Sequence, residues 1–131
     1  MIVGHGIDLC DINRIEKIVT SPSAQTFLNN VFSEYEQLEA LGCGNHPSFY
    51  AKRFAAKEAF AKALGTGITT DVKPCDIIIK NGKNGNPVIV ARNGSLEALQ
   101  KLIDFNRICH IHLSLSKQTD MAIASVVIES V

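Results

Sequence analysis

The chain has 131 residues, of which 46% are hydrophobic and 20% are charged, and its formal net charge is zero. This length suffices for one core and is too short for two ordinary domains, so we expect a single domain spanning 1–131. With this balanced charge, nothing suggests a general affinity for nucleic acid or for an anionic membrane. An anionic partner must therefore be met by a local basic patch.

Four cysteines are widely separated and form no C-x-x-C pair: Cys10, Cys43, Cys75 and Cys109. This spacing argues against a zinc site and against a disulfide framework, and it favours free thiols in a reducing compartment. The N-terminus has no basic segment before a long apolar run, and no stretch is long enough to span a bilayer. We therefore expect a cytoplasmic protein that does not enter the membrane.

The first half of the chain predicts one strand followed by helices. Residues 2–9 predict the strand, in which glycines 4 and 6 indicate a close approach by a ligand or by another backbone. A capping box between Ser33 and Glu36 begins one of the helices. From apolar spacing and end signals, the predicted helices cover 11–19, 33–42 and 46–65.

The second half predicts two strand pairs separated by a helix. The sequence N-G-K-N-G-N is a hairpin signal between two apolar runs. We find no internal repeat, linker or low-complexity segment. The predicted strands cover 75–80, 87–92, 107–116 and 121–130, and the predicted helix covers 94–105. The resulting order of strand, helices, hairpin, helix and hairpin is typical of an α+β domain.

The long helix carries an acid on a side that is otherwise made of small residues. At 100° per residue, the core face holds Phe49, Ala56, Phe60 and Leu64, and Glu58 lies nearly opposite. The residues around Glu58 are Ala51, Ala55, Ala61, Lys62 and Gly65. One interpretation is that this alanine strip leaves room for a ligand. The other is a surface ion pair between Glu58 and Lys62, four residues apart.

Two features favour the ligand. The helix ends in L-G-T-G-I, a flexible backbone whose amides are suited to phosphate contact. Four cations also lie in the segment: Lys52, Arg53, Lys57 and Lys62. A carboxylate among such cations suggests a hard metal ion with phosphates bound to it, since Mg²⁺ prefers one or two carboxylates plus substrate phosphates.

Further polar candidates lie near both ends of the chain. Asp8 follows the glycines of the first strand, and because Asp11 is better placed to cap the next helix, Asp8 is available for another role. Alternation along H-I-H-L-S-L-S places four polar residues on one face, namely His110, His112, Ser114 and Ser116. That face is compatible with plain solvent exposure, phosphate binding, orientation of a nucleophile or metal ligation.

Three motifs in the expected order carry a family likeness. Gly6 and Asp8 form G-x-D, with Arg14 six positions after the acid; the central signature is R-F-A-A-K-E-A-F-A-K-A-L-G-T-G at 53–67; and N-G-x-P occupies 84–87. On these residues the chain resembles the holo-[acyl-carrier-protein] synthase family of small single-domain 4′-phosphopantetheinyl transferases. The likeness covers nearly the whole chain. It implies a small antiparallel sheet packed with helices around one long central helix.

The resemblance implies transfer of 4′-phosphopantetheine from coenzyme A to a serine of apo acyl carrier protein, in support of fatty acid biosynthesis. Asp8 and Glu58 would hold Mg²⁺ and, with Lys62, form the catalytic group. The implied coenzyme A contacts are Arg53, Lys62, Gly65, Asn84, Gly85, Pro87, His112 and Ser114. Arg14 and Lys17 would form a small basic face for the acidic carrier. The likeness further implies a homotrimer with its sites between subunits.

One position departs from the family pattern, and two other functions remain open. The late motif commonly reads H-x-S-x-S/T-H, whereas here Lys117 follows His112, Ser114 and Ser116. Lysine would keep a positive charge beside a coenzyme A phosphate but would not shuttle a proton. The alternatives are another metal-dependent enzyme acting on a nucleotide diphosphate, and an inactive trimer that binds coenzyme A or carrier protein.

Overall fold

The computed structural model describes all 131 residues, and its elements follow the predicted order. They are β1 (Ile2–Asp11), α1 (Ile12–Val19), α2 (Ala24–Val31), α3 (Glu34–Leu41), α4 (His46–Ala63), β2 (Ile77–Asn81), β3 (Pro87–Ala91), α5 (Asn93–Leu102), β4 (Cys109–Gln118) and β5 (Met121–Ser130). The α+β class is confirmed. The sequence pattern assigned no element to α2. None of the helices combines the length and apolarity needed to cross a bilayer.

Two antiparallel sheets frame the molecule. One has the order β1-β5-β4, and the other is the β2-β3 hairpin. In the larger sheet β1 and β4 are the two edge strands, so residues on them are separated by the full width of β5. Asp8 on β1 is opposite Ala124 on β5, which is opposite Leu115 on β4.

The helix α4 occupies the centre of the core, with contacts to β1, β5, β2 and α1. Its predicted core face is buried, as Phe49 and Phe60 illustrate. The alanines at 51, 55 and 61 are buried as well, with none of their surface exposed. The interpretation that the alanine strip leaves room for a ligand is therefore wrong, because the strip packs inside the protein.

The glycines of β1 explain why so little side-chain volume is present there. A Cβ built on Gly6 would overlap the Ala59 carbonyl oxygen, and one built on Gly4 would overlap that of Ala63. Glycine in a strand often marks such an approach. Here the approaching group is the backbone of α4, which settles the two possibilities left by the sequence in favour of backbone packing.

A buried ion pair joins α3, α4 and the start of β2. Lys57 and Glu36 are both fully buried, and the Lys57 Nζ donates to Glu36 Oε1 at 2.7 Å. The same ammonium donates to the carbonyl oxygens of Pro74 and Ile77, at 2.9 and 2.6 Å. Counting Lys57 among the cations available to a ligand was therefore wrong. Its position about 20° from Leu64 on the helical wheel was a signal of burial.

Glu36 completes this network through the predicted capping box. The Ser33 backbone N–H donates to Glu36 Oε1 at 2.9 Å, and the Glu36 N–H donates to the Ser33 hydroxyl oxygen at 3.3 Å. The Ile79 N–H donates to Glu36 Oε2 at 3.2 Å. The carboxylate that caps α3 thus also binds the first strand of the hairpin, and the pair fixes that hairpin against the central helix.

Candidate active site

Asp8 and Lys62 meet where the edge strand β1 crosses the second half of α4. The Lys62 Nζ donates to Asp8 Oδ1 at 2.8 Å and to the Ile7 carbonyl oxygen at 3.0 Å. The Asp8 side chain is 17% exposed and that of Lys62 is 51% exposed. The alternative of a Glu58–Lys62 surface pair is wrong, because this ammonium binds an acid that lies 54 positions away in the chain.

Glu58 lies beside this pair. Partial burial raises the pKa of the Glu58 carboxyl above its usual value, and the negative charge of Asp8 raises it further. The positive charges of Lys62 and Arg14 act in the opposite direction. Two carboxylates that are distant in sequence are therefore close enough to repel each other, and no side chain donates a hydrogen bond to Glu58.

Asp8 and Glu58, which together we call the acidic corner, form a donor set that fits Mg²⁺. Two carboxylates offer hard oxygen ligands, and their mutual repulsion would be relieved by a divalent cation between them. No group of three or more His, Cys, Asp or Glu side chains converges to form a metal site. Mg²⁺ commonly takes only one or two carboxylates and fills its remaining positions with water and substrate phosphate.

The first helix places Arg14 next to these acids. The Asp11 carboxylate caps α1, accepting from the N–H groups of Asn13 and Arg14, as the sequence predicted. Arg14 and Lys17 are both exposed. The Arg14 charge lowers the pKa of Glu58. Arg14 therefore belongs electrostatically to the acidic corner as well as to the surface of α1, a placement that the sequence did not reveal.

The glycines that end α4 differ from the expectation. Gly65 and Gly67 have φ of 84° and 66°, left-handed conformations that suit glycine. Their N–H groups donate to the carbonyl oxygens of Lys62 and Ala61, each at 3.0 Å. These two amides are consequently not free for phosphate. Open space does lie beside Gly65, since a Cβ there would have no atom within 4 Å.

A second candidate region is a groove of about 700 Å³ between α4, the hairpin and the edge strand β4. Six of the implied coenzyme A and cationic residues line it: Lys52, Arg53, Gly85, Pro87, His112 and Ser114. Asn84 lies in the same hairpin turn but does not line the groove. The Arg53 guanidinium lies 3.6 Å from the centre of the Phe49 ring, and its buried Nε has no hydrogen-bond partner.

The polar residues of β4 lie on the outer face of the sheet. His110 and His112 are stacked with ring centres 6.4 Å apart, and His112 Nε2 is 3.0 Å from Glu129 Oε2. Lys117 has the opposite parity along the strand and lines a different cavity, together with Asn13 and Glu16 of α1. Lys117 therefore does not share a face with His112.

Within one chain the acidic corner and the groove are separated. Asp8 lies on one edge strand and His112 on the other. On α4, Arg53 and Lys62 are nine residues apart, about two and a half turns, so they point to opposite sides of the helix. The structure thus brings some predicted residues together at the acidic corner and others in the groove, but within one chain these two regions do not form a single site.

Comparison of the sequence and the fold with known proteins identifies the class of protein to which this chain belongs. Residues 4–124 match the family described as the 4′-phosphopantetheinyl transferase superfamily. The chain belongs to this superfamily.

Relatives and solved structures narrow the likeness. The chain is 44% identical over 130 residues to a holo-[acyl-carrier-protein] synthase of Bartonella bacilliformis, covering 99% of this chain and 97% of that protein. Its fold is similar to that of the Neisseria meningitidis holo-[acyl-carrier-protein] synthase, with a TM-score of 0.85 and 34% identity over 98% and 99% of the two chains. The fold is also similar to that of a Bacillus anthracis holo-(acyl-carrier-protein) synthase solved in complex with coenzyme A (3′,5′-ADP), with a TM-score of 0.78 and 37% sequence identity. This similarity covers 100% of this chain and 99% of that chain.

Proposed function

We propose that the protein transfers 4′-phosphopantetheine from coenzyme A to a serine hydroxyl of apo acyl carrier protein, releasing adenosine 3′,5′-bisphosphate. The unit that does so is a single domain of residues 1–131. Its place is the cytoplasm, where it serves fatty acid biosynthesis. The observation that carries the proposal is the contact of Lys62 with Asp8, whose negative charge also raises the pKa of Glu58, in a chain of this superfamily.

The reaction is attack by an alcohol on phosphorus, and the chain's task is to position the reactants and to balance charge. Asp8 and Glu58 would hold Mg²⁺. When bound, the ion would polarise the attacked phosphoryl group and stabilise the leaving phosphate. Lys62 would place its ammonium on the diphosphate, and the space beside Gly65 would let the diphosphate approach the helix end.

The attacking serine must also lose its proton. Glu58 is our candidate acceptor, either directly or through a water molecule that it orients. Because a carboxylate that holds Mg²⁺ is a weak base, a water molecule that Glu58 orients is at least as good an immediate acceptor as Glu58 itself. Its freedom from side-chain hydrogen bonds leaves its oxygens available for the serine or the water.

The groove on β4 would receive the adenosine end of coenzyme A. Arg53 offers a guanidinium with an unpartnered Nε, and His112 and Ser114 offer polar side chains on the exposed strand. Guanidinium groups suit phosphate recognition. Asn84 would act from the hairpin turn, beside Gly85 and Pro87. On α1, Arg14 and Lys17 would meet the acidic carrier protein close to the reacting phosphate.

We further propose a homotrimer with sites between subunits. Four apolar side chains are exposed on the outer face of the larger sheet, at 37% to 59% of their surface: Ile7, Leu9, Met121 and Ile123. Such a patch favours an interface. Because the corner and the groove lie at opposite edges of the sheet, head-to-tail contact would bring one chain's β1 edge to its neighbour's groove. A head-to-tail contact that closes gives a ring.

The activity is tested by mixing the protein with apo carrier protein, coenzyme A and Mg²⁺ and measuring the mass of the carrier. A gain of one phosphopantetheine group per carrier is the expected result. A carrier of unchanged mass, or release of adenosine bisphosphate when no carrier is present, would contradict the proposal. The second outcome would indicate a different nucleotide-diphosphate enzyme.

The shared site is tested by complementation. Glu58→Ala and Arg53→Ala chains, each inactive alone, are co-expressed so that mixed assemblies form. With random mixing, about a quarter of the interfaces would pair an intact Glu58 with an intact Arg53, and activity should recover to about that fraction. No recovery in assemblies shown to be mixed would place both residues in one chain's site.

A further inference from the structure

Lys62 lies where its charge competes with a cation at Asp8. Its Nζ bonds to Asp8 Oδ1 at 2.8 Å and to the Ile7 carbonyl oxygen at 3.0 Å. The Asp8 side chain is 83% covered, so few other positions around its carboxylate are open to a second cation. The adjacent Glu58 has no such partner. One acid of the pair is thus already neutralised by the protein itself, and the other is not.

An ammonium and a divalent ion cannot share this carboxylate without cost. Two positive charges a few ångströms apart repel each other, and the effect is strong where the surroundings are partly buried. The Lys62 side chain is half exposed and ends in a flexible four-carbon stem, so it is able to move away. A diphosphate beside Gly65, less than one turn further along the chain, would offer that ammonium a new anionic partner.

We infer that, in the free protein, the Lys62 ammonium occupies the position at Asp8 that the metal ion would take. In the free protein it holds Asp8 and keeps divalent-cation affinity low, and it moves to the coenzyme A diphosphate when both ligands bind. This inference rests on the proposed function and adds a regulatory feature to the same site. It predicts that coenzyme A and the metal strengthen each other's binding partly through Lys62, since coupling between two ligands is reciprocal.

The test measures Mn²⁺ binding to the protein by electron paramagnetic resonance, without carrier protein. Lys62→Gln should bind Mn²⁺ at least about threefold more tightly than the unsubstituted protein, because a competing positive charge has been removed. The same variant should bind coenzyme A more weakly. The factor by which coenzyme A enhances Mn²⁺ binding should shrink. Tighter Mn²⁺ binding together with weaker coenzyme A binding would distinguish competition from general damage to the site, since damage would weaken both.

Two variants serve as comparisons. Lys62→Arg keeps the positive charge and should retain low Mn²⁺ affinity. Lys101→Gln removes a lysine from α5, away from β1 and the acidic corner, and should leave Mn²⁺ binding unchanged. Equal or weaker Mn²⁺ binding in Lys62→Gln overturns the inference whatever the absolute affinity.

A second readout needs no substitution. In the unsubstituted protein, Mg²⁺ should increase the rate at which acetic anhydride labels the Lys62 amine, as measured by peptide mass spectrometry, while Lys101 labelling stays constant. Protection of Lys62 by Mg²⁺, or no change, would contradict its displacement. Both experiments are independent of phosphopantetheine transfer. A failure of transfer would therefore leave them interpretable, and an intact transfer reaction would not rescue the inference.

Discussion

Lys57 and Glu58 are neighbours on the central helix, yet their charged groups differ in burial and in hydrogen-bond partners. The Lys57 ammonium is fully buried and donates to three acceptors, including the Glu36 carboxylate. Glu58 is partly buried beside another acid, and its pKa is raised. Burial lowers the pKa of Lys57 as well, but its charge has three hydrogen-bond acceptors within the fold, whereas no side chain donates to Glu58.

This difference separates a residue that holds the structure from one that is available for chemistry. A partly buried charge without full compensation destabilises a fold. Its presence therefore suggests that the charge binds a ligand or takes part in a reaction. At Glu58 that ligand is our proposed metal ion. Changes at the two positions should therefore act on different properties, one on activity and the other on stability.

The largest expected effect is on activity at the acidic corner. Asp8→Ala and Glu58→Ala should each reduce phosphopantetheine transfer by at least about a thousandfold, because each would remove one of the two proposed Mg²⁺ ligands. Circular dichroism and thermal melting should show a retained fold, since neither carboxylate belongs to the hydrophobic core. Near-normal transfer by either variant at limiting Mg²⁺ would contradict the assignment.

The next largest effect is on stability at the buried pair. Lys57→Met should lower the free energy of unfolding by about 3–5 kcal/mol, because Glu36 is left buried without its counter-charge. Urea unfolding at a fixed protein concentration measures this. The double variant Lys57→Met, Glu36→Gln should recover part of the loss, because it removes the unpaired charge while the amide oxygen can still accept from the Ser33 N–H. Lys52→Met, on the same helix but not fully buried, should change stability little.

If Lys57→Met proves as stable as the unsubstituted protein, the contrast between the two neighbours is lost. If the double variant is no more stable than the single one, the loss does not arise from the charge of the unpaired carboxylate. Either result would remove the buried ion pair as the reason for the difference.

The sequence predicted the elements better than the partners of its charged residues. Helical spacing and the capping box located α1, α3 and α4, because these signals are local in the chain. The alanine strip was misread because a small side chain suits either a ligand or close packing, and only the whole fold buries Ala51, Ala55 and Ala61. Lys62 was paired with the wrong acid for the same reason: Asp8 is distant in sequence.

The family motifs located more of the candidate site than the residue patterns did. They selected Asp8, Glu58 and Lys62, which the fold brings to one corner. They did not reveal that Arg14 acts electrostatically on that corner, because the angle between α1 and α4 is set by packing of the whole core. Nor does any local pattern place the groove at the opposite edge of the sheet.

A smaller effect should distinguish the two cations of α1. Arg14→Ala should raise the KM for carrier protein about five- to tenfold and the KM for coenzyme A much less, since surface charges mainly govern encounter with an oppositely charged partner. Lys17→Ala should have a weaker effect, because Lys17 lies in the last turn of α1, further than Arg14 from the end that follows β1. The Arg14 effect should diminish at high salt. Equal changes in both KM values would count against docking by Arg14.

The smallest effect concerns the cost of keeping Glu58 ionised. Because the folded-state pKa of Glu58 is raised, the folded chain binds this proton more tightly than the unfolded chain does, so the group's contribution to stability falls as pH rises through its titration. In the absence of divalent metal, Glu58→Gln should therefore melt slightly higher than the unsubstituted protein at pH 7. The difference should vanish below about pH 4, where the glutamate is protonated in both states. Thermal melts in chelator across this range measure it, and a variant less stable than the parent at pH 7 would show that the Glu58 charge is compensated within the fold after all.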